Sequence, residues 1–198
     1  MIQVLNSILS TDICTINEKN KKIVIMSSQS SFPEDYIEAD YSKEKITIKE
    51  IHRSNEKIVL ETENVNRASL VAGVLALRLF FPIKRDELVD KLRMLVKEKL
   101  LEDACQLLNN EFSSEDYSIG LECYNKISLI EAGDIADVKY HSEYLAQGAG
   151  LPRAYAALYN YCKRKRFIEE WCAEKILLLD SCEDISELVE LYILGHLK

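Results

Sequence analysis

Three cysteines spaced by ten residues (Cys162, Cys172 and Cys182) and three histidines (His52, His141 and His196) are the side chains best suited to hold a metal or activate a nucleophile. A zinc site gathers thiolates or imidazoles from short paired motifs. No Cys-x-x-Cys occurs here, and ten helical steps leave successive thiols roughly 80° out of phase. Core packing is the expectation for these cysteines. The histidines are isolated from one another, although His141 is followed by Ser142 and Glu143. A nucleophile and its base must converge in space, and on a helix such neighbours diverge. The sequence therefore predicts no catalytic residue, no metal and no cofactor.

Charged residues offer a different chemistry. Lys163, Arg164, Lys165 and Arg166 stand together in "NYCKRKRFIEEWC". On a helix, four neighbours about 100° apart spread round the circumference instead of forming a phosphate-binding stripe. Glu169 and Glu170 are spaced to answer Lys165 and Arg166. The net charge is -8, which argues against a protein that grips nucleic acid. In "AQGAGLPRAY" the glycines follow no strand in this reading and fit a helix cap before Pro152 better than a phosphate loop. Tyr140 and Tyr144, then Tyr155, Tyr159 and Tyr161, suggest packing between two antiparallel helices.

Acidic residues crowd the last third: Glu169, Glu170, Glu174, Asp180, Glu183, Asp184, Glu187 and Glu190. A solvated acidic face attracts a basic protein and speeds the encounter. Glu183, Asp184, Glu187 and Glu190 are the residues predicted to contribute to such a contact.

The elements that must carry these residues divide the chain in two. Up to about residue 65, "KKIVIMSS", "DYIEADY", "EKITIKEI" and "EKIVLETE" are short, β-branched and separated by polar turns, as strands are. From about Asn66 the period lengthens to that of a helix. "SLVAGVLALRLFFP" is an apolar run that contains Arg78, too short for a bilayer, which takes about 20 apolar residues; it reads as a buried helix stopped by Pro82. "RDELVDKLRMLVKEKLLEDACQLLNN" places Leu88, Leu92, Leu95 and Val96 on one stripe. "SSEDYSIGLECYNKISLIEAG" reads as a helix capped at Ser113 or Ser114, and another is expected from Asp134 to about Gln147. Further helices are expected over Leu151 to Trp171, with Leu179 as the alternative end, and over Ile185 to Leu197. The expectation is an α+β fold: an N-terminal antiparallel meander of four to five strands, then a bundle of five to six helices. One domain spans 1–198, with a β-sheet subdomain at 1–65 and a helical subdomain at 66–198.

Forty-seven per cent hydrophobic residues provide for an ordered core. The N-terminus MIQVLNSILSTD carries no basic, apolar leader, and a cytoplasmic setting with free thiols follows. In size, acidity, single-domain build and lack of catalytic motifs, the chain resembles bacterial toxin-immunity proteins. The resemblance implies a non-enzymatic inhibitor that neutralises a cognate toxin domain, often a basic nuclease, in a tight one-to-one complex. An adaptor or chaperone-like scaffold, gripping a peptide in an apolar groove of its helical part, is the competing expectation.

Overall fold

Alternation of Ile with Lys and Thr builds the first sheet as expected. A computed structural model describes residues 1–29, 34–81 and 86–197. In it, β1 (Cys14–Lys19), β2 (Lys22–Ser27), β3 (Asp35–Asp40), β4 (Ile46–His52) and β5 (Asn55–Thr62) form an antiparallel meander in chain order. Ile23, Ile25, Ile37, Ala39, Ile46 and Ile48 are buried along one face. Lys22 and Lys49 interleave with Glu38, Asp40 and Glu56 on the other. The β1–β2 and β4–β5 hairpins close on Asn20–Lys21 (φ 54° and 61°) and Arg53–Ser54 (φ 46° and 71°). Both central residues of each turn are left-handed, which matches the twist of the strands.

The first residues are helical rather than extended: α1 (Ile2–Ile8) buries Leu5 and Ile8, three apart, against the next helix. That helix, α2 (Val65–Phe80), starts at Asn64, whose side chain accepts from the amides of Asn66 and Arg67. Its residues Ala68 to Leu77 are all buried, because the sheet covers one side while α1 and α6 (Ile185–Leu194) cover others. A helix that is apolar all round is one covered all round. α2 ends at Phe80; Pro82, expected to stop it, lies outside the described residues.

Two compact units divide the chain, residues 1–82 with 168–198 and residues 83–167. The second unit departs from the expected helical bundle. Its long amphipathic segment is two helices, α3 (Glu87–Lys97) and α4 (Leu101–Glu111). Lys99 takes a left-handed φ of 61°, and its amide and that of Leu100 donate to Val96 and Leu95. This is a Schellman stop, built here without glycine. Glu102 and Asp103 then open α4, where the helix dipole favours them.

The two segments expected as helices between Ser113 and Gln147 are strands. β6 (Tyr117–Ile119), β7 (Ile127–Ala132), β8 (Ile135–Tyr140) and β9 (Glu143–Gly150) form a second sheet in that order, β6 parallel to β7 and the rest antiparallel. The period of two is present in Ala136, Val138 and Tyr140, which are buried in alternation with Asp137 and Lys139. Gly133 (φ 70°) and the pair His141–Ser142 (φ 50° and 66°) turn its hairpins. Ser113, expected as a helix cap, instead donates through its amide and hydroxyl to Asp116. α5 (Leu151–Leu178) follows β9 directly, so Gly148 and Gly150 end a strand rather than a helix. The chain is thus α+β, a five-stranded antiparallel sheet followed by helices, with a second sheet among those helices.

Candidate partner-binding surface

The acidic C-terminal segment is assembled at the start of α2. Arg67, in the first turn of α2, donates through Nη1 to Glu183 at 2.6 Å and through Nη2 to Glu187 at 2.7 Å. Asn64 reaches Glu183 at 3.4 Å, and Asn66 donates to the Leu179 carbonyl at 3.2 Å. Asp184 caps α6 by accepting from the amide of Ser186. Glu190 is buried on α6. Of the four carboxylates predicted for partner contact, two are therefore closed on one guanidinium, a third caps a helix and the fourth points inward. Glu183 and Glu187 tie this segment to α2; Glu183 is largely covered and Glu190 buried, whereas Asp184 and Glu187 remain exposed.

Further exposed acids lie on and just after α5. On the last turns of α5, Glu170, Ala173, Glu174, Leu177 and Leu178 are exposed, and their spacing by three and four places them on one face. Leu177 is 83% exposed and Leu178 56%. Glu174 pairs with Lys175 at 2.6 Å, while Glu170 and Asp180 extend to solvent. Asp180 closes α5 in a left-handed conformation (φ 47°); its amide donates to Leu177 and that of Ser181 to Ile176. That Schellman turn holds the two leucines at the helix tip with carboxylates on either side. An apolar centre with a charged rim is the anatomy of a protein-binding patch. Glu170, Glu174 and Asp180 were visible in the sequence as part of a general acidity. Leu177 and Leu178 were not, because "KILLLD" reads as a core run.

The basic run is structural. Lys163 and Tyr159 both donate to Asp86, the cap of α3; the hydrogen bond from Lys163 chiefly holds the Asp86 carboxyl below its ordinary range. Arg166 donates to the Glu111 carbonyl, and Arg164 lies over the Tyr161 ring. The tyrosines do not line two facing helices. Tyr140 and Tyr144 are on β8 and β9, while Tyr155 and Tyr159 are buried on α5, donating to Glu131 and Asp86 at 2.8 Å each.

Cys162 and Cys172 are in the core, where burial pushes both thiols up, Cys172 to about 12. Cys182 departs from the expected core packing and is exposed in the loop before α6. His141 sits in the β8–β9 turn, stacked between Tyr124 and Tyr140 with ring centroids 4.1 Å away on each side. His52 pairs with Asp35 at 2.5 Å on the first sheet. Among the described residues, no helix is long and apolar enough to cross a membrane. Comparison with protein-family models, with curated proteins and with solved structures gave no match.

Proposed function

We propose that this chain is a non-enzymatic, cytoplasmic capture protein of the immunity type, which binds a basic toxin domain through the acidic, leucine-centred tip of α5. The observation that carries this reading is Leu177, the most exposed of the large apolar residues described here, set among Glu170, Glu174 and Asp180. Burying a side chain of that size contributes about 1.5–3 kcal/mol, and carboxylates beside it steer a basic partner into place. Charge is unevenly spread: residues 1–82 and 168–198 hold 12 Lys and Arg against 19 Asp and Glu, whereas residues 83–167 hold 13 against 14. The acidity thus belongs to the unit that presents this tip.

Affinity capture from the native cell tests the reading, using the unaltered chain and a Glu170→Lys/Glu174→Lys/Leu177→Lys variant as baits. A single basic protein is expected on the unaltered bait, lost from the variant and weakened by salt, with its toxicity abolished at one-to-one stoichiometry. A partner that is acidic, or one retained equally by both baits, contradicts it.

A further inference from the structure

We propose that the groove between α3 and α4 is a self-association surface that seats the same hairpin of a second copy of this chain. The groove has a volume of about 460 Å³ and is lined by Leu88, Lys91 and Leu95 on one wall and Asp103, Leu107 and Glu111 on the other. Leu88 and Leu95 belong to the apolar stripe of α3, yet they remain half-exposed while Val89, Leu92 and Val96 are buried. Beside them Met94 is 60% exposed, and Leu100 and Leu101 extend the uncovered apolar surface to the hairpin tip.

Charge selects the occupant. The unit bearing the groove is almost neutral, with 13 basic and 14 acidic residues, so the repulsion between two chains of net charge -8 is not concentrated at this face. The two walls carry opposite signs, a cation on α3 and carboxylates on α4. α3 and α4 pack on one another across the short 98–100 connection, which makes them an antiparallel helical hairpin, and a two-fold axis along the groove lays α3 of each copy over α4 of the other. Lys91 then arrives between Asp103 and Glu111, which are separated by eight residues, about 12 Å along the helix. The same pairing is made twice, as an isologous interface requires. This contact is independent of the α5 tip and uses none of its residues.

Sedimentation velocity of the full chain across a wide micromolar range tests the proposal. A concentration-dependent monomer–dimer equilibrium is expected, with Leu95→Asp or Lys91→Glu each weakening it about tenfold or more. Exchanging the charges, Lys91→Glu with Asp103→Lys and Glu111→Lys, is expected to restore association. Leu95 and Lys91 are not core residues, and circular dichroism confirms that each variant folds. As a second readout on the unaltered chain, amide exchange over residues 88–111 is expected to slow as concentration rises. A chain that stays monomeric overturns the proposal. So does a dimer indifferent to both single substitutions, or one that the charge exchange fails to restore. Glu170→Lys/Glu174→Lys leaves dimerisation unchanged, so failure here and failure of the capture reading are distinguishable.

Discussion

Gly73 shows how tightly the first unit is packed. A Cβ at this position in α2 would lie 2.8 Å from Cη2 of Trp171 and 3.3 Å from Cδ1 of Ile8. Alanine is the better helix former by about 1 kcal/mol, but the rigid ring of the half-buried Trp171 yields less readily than a flexible side-chain tip. Gly73→Ala is therefore expected to destabilise by about 1–3 kcal/mol, read as a lower urea midpoint with altered Trp171 fluorescence. The thiols divide by burial in the same way. Cys14 is pushed up to about 11 and Cys172 to about 12, so at pH 8 a disulfide-exchange reagent is expected to label Cys182 rapidly and those two only on unfolding. Asp40 titrates in the opposite direction. Hydrogen bonds from the Ser42 hydroxyl and amide, aided by Lys22, hold its carboxyl at about 2 against an ordinary 3.8. A depressed folded value means that the stabilisation is complete above the unfolded value and is lost as pH falls from about 4 towards 2. Ser42→Ala is expected to raise the Asp40 value in an NMR titration and to flatten stability over that interval.

At the scale of elements, α3 and α5 both stop without glycine. Lys99 and Asp180 hold φ values of 61° and 47°, a conformation that costs a side-chain-bearing residue about 1 kcal/mol or more. Lys99→Gly and Asp180→Gly are each expected to raise stability by about 0.5–1 kcal/mol, measured as a higher urea midpoint; a lower midpoint would contradict the Schellman assignment. These stops also explain what was legible. Strands β2 to β5 declared themselves because they are short, rich in β-branched residues and separated by polar turns, with clean alternation in β4, and α2 because its apolar run is long. The break at Lys99 was hidden, since a lysine that ends a helix looks like a lysine within one. The second sheet was hidden for a related reason. "ISLIEAG" satisfies a period of two and one of 3.6 equally well, and the β8–β9 turn is made by His141 and Ser142 with no Asn-Gly or Asp-Gly to announce it.

For the whole molecule, the acidity read from composition is real, but its deployment depends on contacts that composition does not encode. Arg67 lies 116 residues from Glu183 and 120 from Glu187, and only the fold brings them together. That pairing ties Glu183 and Glu187 to α2, while Glu170, Glu174 and Asp180 are exposed along and just after the last turns of α5 that carry Leu177. Site-specific photo-crosslinking in the native cell tests this placement most directly, with the crosslinker at Leu177 and, as a control, at Ile58, which is 59% exposed in the same unit. A single basic protein is expected to be trapped from Leu177 and not from Ile58, with a yield that falls as salt rises. No adduct at Leu177, or the same adduct from both positions, would contradict the account.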